Sequence, residues 1–497
     1  MEVIYNSTRD QHNRVTASQA ILKGIAEDGG LYVPEQVPKL PVELTALVPM
    51  SYQEVAFLVM RQFFTDFSDE ELRYCIEGAY NNQKFDVPEI VPVKQVGDAY
   101  YLELFHGQTI AFKDMALSIL PYLMTVSAKK QQSDKEIVIL TATSGDTGKA
   151  AMAGFADVPN TKIIVFYPKG GVSQIQERQM LTQKGDNTYV VGITGNFDDA
   201  QTKVKQLFGD ESLNAKIGQA GYQFSSANSI NIGRLIPQVA YYVYGYAQLV
   251  KQGVIQAGET INIDVPTGNF GNILAAYYAA KMGVPIKTFL CASNKNNVLT
   301  DFFRQGVYDR KRPFYVTNSP SMDIVISSNL ERLVYHATGN DAQVTADLMA
   351  QLQANGEYRV DEAMRAQMLD FYAGYADEQQ IEASIKAVYE QTGYVLDPHT
   401  AVGTAVYQQY RQATADTTPT LIAATASPYK FPRSVMQSFS EIAEEVADLT
   451  LVEQLQQVSQ VALPQAVLDV IDAPIRHDEV VSVDEMEASV LAKLGLS

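Results

Sequence analysis

From about residue 91 the chain alternates short apolar runs rich in Ile, Val and Thr with helix-forming runs, and nothing else restricts its fold as strongly. EIVILTAT (136–143) is followed by GKAAMAGFAD, TKIIVFYP (161–168) by a helical run over about 174–184, and NTYVVGIT (187–194) by FDDAQTKVKQLFGD. ETINIDVPT (259–267) leads into NILAAYYAAKMG, and IKTFLCAS (286–293) into another helical run. Such alternation builds βαβ units around parallel sheets, so the fold class is α/β. TPTLIAATAS (418–427) is one more buried strand, ending in hydroxyl residues. A length of 497 residues accommodates two or three domains. Residues 1–90 form an N-terminal, mainly helical unit, with an amphipathic helix in SYQEVAFLVMRQFF (51–64) and a Gly/Pro-punctuated loop over 27–41. Residues 91–497 make a second region of two α/β subdomains, the smaller over roughly 135–230. It carries a charged helical block without strands at 339–392 and an acidic helical tail from 440 to 497.

The formal charge of −19 repels nucleic acid and anionic membrane, so neither is expected as a partner. An anionic ligand would need a locally positive pocket. Two cysteines, Cys75 and Cys291, exclude a disulfide scaffold, and no Cys/His spacing points to a metal. The first residues, MEVIYNSTRDQHN, lack the apolar segment of a secretory signal, and no run reaches the roughly 18 apolar residues of a membrane span. A cytoplasmic enzyme without an obligate protein partner is expected.

In open α/β sheets, ligands bind beyond the carboxyl ends of the strands. Three strand ends here are unusual. IVILTATSGDTGKAA runs from a buried strand into a helix through Thr143, Ser144, Gly145, Asp146, Thr147 and Gly148, which offers backbone N–H groups and hydroxyls to an anion. It is not a P-loop: Thr143 stands where the first glycine is needed, and Ala150 stands where Ser or Thr must follow Lys149. INIDVPTGNFGNILAAYY passes from strand to helix through Gly268, Asn269, Phe270, Gly271 and Asn272. That density of Gly and Asn suits close backbone approach to the phosphate of a small cofactor, with a plain tight turn as the alternative. No two glycines are spaced as GxG, which argues against a dinucleotide. LIAATASPYKF ends a strand at Thr425 and Ser427, where a neutral hydroxyl can meet a ring nitrogen without protonating it.

A lysine, Lys113, sits in the apolar stretch HGQTIAFKDMALSIL (106–120). Two readings are open. The side chain snorkels to water from a half-buried helix, or partial desolvation makes it a nucleophilic amine. A desolvated lysine, a glycine-rich phosphate cup and a hydroxyl for a ring nitrogen together describe pyridoxal 5'-phosphate held as a Schiff base.

On these motifs the chain resembles the threonine synthases, which belong to the fold type II (tryptophan synthase β-like) pyridoxal-phosphate enzymes. The likeness lies in YNSTR (5–9), DGGLYVP (28–34), HGQTIAFKDMA, TATSGDTG, SANSINIGR (226–234), PTGNFGN, PSMDIVISSN (320–329) and LDPHTAVG (396–403), and it runs nearly end to end. Gln108 replaces the proline usual in the lysine motif. The resemblance implies two parallel-sheet domains with the cofactor between them, plus the N-terminal unit and helical insertion of the longer bacterial and fungal branch. It implies Lys113 as the cofactor lysine, Gly268, Asn269, Phe270, Gly271 and Asn272 as the cofactor phosphate cup, and Thr425 as the partner of the pyridine nitrogen. It places Ser144, Gly145, Asp146 and Thr147 at the substrate, and Ser173, Asn231 and Arg234 at the substrate phosphate. Asp146 departs from the asparagine common in the wider fold group. His106 and His399 read as structural residues, since a lysine can do the proton work itself. The implied activity is conversion of O-phospho-L-homoserine and water to L-threonine and phosphate. Alternatives are another fold type II lyase, such as a serine/threonine dehydratase, or a non-catalytic homologue that binds a phosphorylated ligand.

Overall fold

The structure is a computed structural model that describes residues 2–143, 145–172, 174–471 and 473–496. Its larger half is built on a six-stranded sheet in the order Phe371–Tyr375, Ile286–Ser293, Ile261–Pro266, Thr420–Ala424, Ala99–Glu103, Val93–Val96. The first five strands run parallel, and the last pairs antiparallel. Strands Ile261–Pro266 and Thr420–Ala424 are buried along their whole length, as central parallel strands must be when both faces are covered. Side chains two residues apart share a face of a strand. Leu421 and Ala423 therefore enter one core, with Val239 and Tyr242 of helix Ile232–Lys251 and Ile273 of helix Gly271–Met282. Ile422 and Ala424 enter the other, with Val402 and Val406 of helix Pro398–Thr414.

The smaller half is a five-stranded parallel sheet in the order Val480–Ser482, Thr188–Thr194, Thr161–Pro168, Glu136–Ala142, Tyr222–Ser225. The same alternation divides it. Ile139 and Val165 face Ala150 and Met152 of helix Asp146–Phe155. Leu140 and Phe166 face Val204 and Leu207 of helix Phe197–Gly209.

The N-terminal unit joins a three-stranded antiparallel sheet (Tyr5–Ser7, Arg14–Val15, Tyr32–Pro34) to helices Ala17–Lys23, Tyr52–Phe63 and Asp69–Ala79. Ser51 and Glu54 form a capping box that starts Tyr52–Phe63. Its buried face, Val55, Val59, Met60 and Phe63, has helical spacing and packs toward helix Ile232–Lys251.

Two segments differ from the sequence expectation. The 339–392 block is not free of strands: Glu357–Arg359 pairs with Val307–Asp309, and Phe371–Tyr375 forms an edge of the large sheet. The 440–497 tail is not wholly helical. Val480–Ser482 adds an edge strand to the small sheet, and Met486 and Val490 enter that sheet's core. These strands are only three to five residues long, too short for an alternation to stand out in the sequence. No helix among the described residues is long and apolar enough to cross a membrane.

Candidate active site

A cleft of about 1400 Å³ opens where the strand ends of the two sheets face each other. Thr141 and Thr143 line it from the small sheet; Thr267 and Thr425 line it from the large one.

Lys113 begins the short helix Lys113–Leu117 and is half-buried on the cleft wall. Its approach is fixed from three directions. Asp114, next in sequence, is buried and accepts hydrogen bonds from Thr109 N (2.7 Å) and Thr109 Oγ1 (2.6 Å). Burial pushes the Asp114 carboxyl above its ordinary range, while the Thr109 bonds and Lys430 pull it back. Phe112 N donates to Thr425 O at 2.8 Å, so the lysine turn is tied to the strand end that carries Thr425. Lys113 Nζ itself donates to Ser321 Oγ at 3.3 Å. The lysine therefore faces a ligand cleft rather than bulk water alone.

Strand Ile261–Pro266 passes into helix Gly271–Met282 through Gly268, Asn269 and Phe270, all on the cleft wall. Phe270 takes the left-handed conformation, φ 64°, which turns the chain sharply into the helix. The first N–H groups of a helix have no intrahelical acceptor, and here they belong to residues lining the cleft. The turn is braced from behind. Ser327 Oγ donates to Gly268 O (2.7 Å), and Asn329 Nδ2 donates to Asn269 O (2.9 Å). A side chain on Gly268 would lie 2.7 Å from Ser321 O, so glycine is required for this packing. Asn272 accepts from Tyr241 OH at 2.7 Å and also from Tyr242 OH.

Thr425 is 5% exposed, and its Oγ1 has no hydrogen-bond partner among the described residues. A buried hydroxyl left without a partner is costly unless something else bonds it. Its backbone, by contrast, is held by Thr400 Oγ1, which accepts from Thr425 N at 3.1 Å. A primary amine, a helix-start turn that only glycine fits, and an unspent hydroxyl at a strand end are the donor set that pyridoxal phosphate requires, so the residues fit that group.

Of the residues expected at the substrate, Thr147 and Arg234 line the cleft. Arg234 is buried in helix Ile232–Lys251; its Nη1 donates to Ala227 O (2.9 Å), and its Nε has no partner. Burial lowers this guanidinium to about 10, and no carboxylate among the described residues pairs with it. Gly145 does not line the cleft. With φ 137° it shapes the turn, and a side chain there would strike Gln176. Ser144 and Ser173 lie outside the described residues, and Asp146 is described only as the first residue of its helix. Asn231 does not fit the role expected of it. Its Oδ1 caps helix Ile232–Lys251 by accepting from Gly233 N (2.8 Å), its Nδ2 donates to Ile21 O (2.9 Å), and the buried residue does not line the cleft.

His106 bridges Asp86 (2.8 Å) and Glu103 (2.9 Å), away from the cleft, as a structural residue does. His399 does line the cleft. Two further residues escaped sequence reasoning. Lys430 is buried, lines the cleft and donates to Thr109 O at 2.9 Å. The signal that singles out Lys113, a lysine in apolar company, is also present in SPYKF. Ser321 lies in the PSMDIVISSN motif, but its contacts with Lys113 and Gly268 join residues remote in sequence. Lys113, Arg234 and Lys430 bring cationic groups to the cleft, whose lining also carries Arg433 and the carboxylates Asp198, Asp323, Glu444 and Asp448.

Sequence profiles of three families match the chain. The profile described as threonine synthase N terminus covers residues 4–80, pyridoxal-phosphate dependent enzyme covers 89–426, and threonine synthase, C-terminal, covers 400–484. The chain is 39% identical over 434 residues to threonine synthase-like 1 of Homo sapiens, which takes in 85% of this chain but 58% of that protein. The chain thus spans well under two thirds of that relative's length. It is 35% identical over 475 residues to the threonine synthase of Schizosaccharomyces pombe, covering 89% of this chain and 90% of that one. The crystal structure of PLP-bound threonine synthase from Brucella melitensis matches with a TM-score of 0.87, at 34% identity and 99% coverage of both chains.

Proposed function

The chain belongs to the threonine synthase family of fold type II pyridoxal-phosphate enzymes, and from that premise we propose that it converts O-phospho-L-homoserine and water to L-threonine and phosphate. Pyridoxal phosphate bound through Lys113 supplies the electron sink for charge left on the substrate when its protons are removed. The chain's own residues do the rest. The backbone of Gly268, Asn269, Phe270, Gly271 and Asn272 holds the cofactor phosphate at a helix start. Thr425 Oγ1, buried without a partner among the described residues, would be the neutral partner of the pyridine nitrogen. With the cofactor bound, Lys113 Nζ would take the proton from the substrate Cα and return protons later in the reaction. Its half-buried position on the cleft wall keeps it from full contact with bulk water. Thr147, with Ser144 and Asp146, is assigned to the substrate carboxylate, where a strand runs into a helix through the turn that Gly145 shapes.

The observation that carries the phosphorylated substrate is Arg234. A buried guanidinium on a ligand cleft, with an unspent Nε–H and no carboxylate partner among the described residues, is matched to an oxyanion. Ser173 is the further donor proposed for the same phosphate. The substrate is a small molecule, and we read the enzyme as cytoplasmic and without an obligate protein partner.

The test is phosphate release from O-phospho-L-homoserine by the cofactor-loaded protein, with the amino-acid product identified. Phosphate and threonine in equal amounts, both lost in Lys113→Ala, are expected. A loaded protein that releases no phosphate but deaminates serine or threonine overturns the substrate.

A further inference from the structure

We propose that Asp397 positions both cofactor-binding side chains of the large half, Lys113 and Thr425, through two branches of hydrogen bonds. Asp397 precedes Pro398 and caps helix Pro398–Thr414. Both of its carboxylate oxygens are engaged. Oδ1 accepts from Thr400 N (3.0 Å) and Thr400 Oγ1 (2.7 Å), and Oδ2 accepts from His399 N (2.9 Å) and faces His399 Nδ1 at 3.3 Å.

The first branch runs to Thr425. Thr400 Oγ1 gives its proton to Asp397, which leaves its lone pairs for Thr425 N. That bond orients the strand end from which Thr425 Oγ1 projects.

The second branch runs to Lys113. Ser321 N donates to His399 Nε2 at 3.1 Å, so Nε2 must carry the lone pair. The ring proton then sits on Nδ1, directed at Asp397, and the carboxylate selects this tautomer. Held at its backbone, Ser321 accepts from Lys113 Nζ at 3.3 Å. The loop that carries Ser321 is stiffened separately. Asp323 Oδ1 accepts from Asn294 Nδ2 (2.8 Å), Asn296 Nδ2 (3.0 Å) and Thr317 Oγ1 (2.7 Å). A lysine has four rotatable carbons, and an acceptor at its tip selects one arrangement. Asp397 touches neither Lys113 nor Thr425. It is a positioning residue, and its charge, rather than its capping geometry, sets the tautomer on which the lysine branch depends.

That distinction gives the test. Asparagine caps a helix as well as aspartate does, so Asp397→Asn keeps the helix start. An amide has a single oxygen; with that oxygen kept on Thr400, its NH2 faces His399 Nδ1 and cannot accept a proton from it, so His399 shifts its proton to Nε2 and opposes Ser321 N. The expected result is a kcat about ten- to a hundredfold lower, the usual cost of losing a partner one shell out from a functional group, with KM little changed. The visible absorbance of bound pyridoxal phosphate, titrated against pH without substrate, should change its profile, while the thermal midpoint stays near that of the parent. His399→Gln places an acceptor opposite Ser321 without needing the carboxylate, so Asp397→Asn with His399→Gln should regain about tenfold of the loss. An Asp397→Asn protein with the parent's spectrum and kcat overturns the proposal, as does a double variant no better than the single one. If Asp397→Asn lowers the thermal midpoint, Ser321→Ala decides the matter, since it leaves the cap intact; an unchanged spectrum there also overturns it. The inference rests on Lys113 as the cofactor lysine and not on the substrate. A protein inactive on O-phospho-L-homoserine whose spectrum still responds to these changes would sink the substrate reading alone.

Discussion

Ser321 Oγ lies 3.3 Å from Lys113 Nζ, although 208 positions separate the two residues in the chain. Ser321 O also packs where a side chain on Gly268 would stand. One residue thus touches the lysine and the phosphate turn together, so a change at either place is felt at the other.

Thr425→Val should have opposite effects on the two forms of the protein. Without cofactor, it removes a buried hydroxyl that has no partner among the described residues, and stability should rise by about 1 kcal/mol. With cofactor, it removes the partner of the ring nitrogen, and pyridoxal phosphate should bind about tenfold more weakly. Denaturant unfolding of the cofactor-free protein and an absorbance titration measure the two effects. Loss of stability in the cofactor-free form would mean that Thr425 Oγ1 is already satisfied.

Gly268→Ala and Gly271→Ala should separate cleanly. The first puts a carbon 2.7 Å from the backbone oxygen of Ser321, and overpacking against backbone costs about 1–3 kcal/mol. The second meets nothing closer than 3.5 Å, an ordinary contact at a helix start. Thermal unfolding should therefore drop for the first and barely move for the second, with cofactor affinity following the same order.

Arg234→Gln should raise KM for O-phospho-L-homoserine about tenfold or more, because a charge-assisted bond to phosphate becomes a neutral one. Inhibition by inorganic phosphate should weaken in parallel. A variant with altered kcat alone would place Arg234 outside the phosphate site.

His106 should make stability depend on pH. Burial alone would lower its pKa, but the bonds to Asp86 and Glu103 outweigh burial and raise it to about 8. A group raised in the folded state binds its proton more tightly there than in the unfolded chain. Its contribution is complete below the unfolded value of about 6.5 and is lost as pH rises through about 8, a difference of about 2 kcal/mol. Denaturant unfolding of the parent minus that of His106→Gln should fall across this window. A flat difference would mean that the two carboxylates do not hold the imidazolium.

The α/β alternation, the lysine stretch, the glycine turn and the strand end at Thr425 are legible in the residues alone, because each signal lies within one short run. Periodicity of two along TLIAA, for example, is enough to send Leu421 and Ile422 to opposite cores. Tertiary structure alone decided what required distant partners. Phe371–Tyr375 and Val480–Ser482 become strands because an existing sheet offers them an edge. Asn231 and Arg234 are three positions apart and look equally suited to phosphate in NSINIGR; only packing shows that Asn231 is spent on a cap and on Ile21 O while Arg234 retains an unpaired Nε. Local patterns encode the conformation of a segment, whereas hydrogen-bond satisfaction belongs to the assembled fold, and it is satisfaction that separates a structural polar group from one left to meet a ligand.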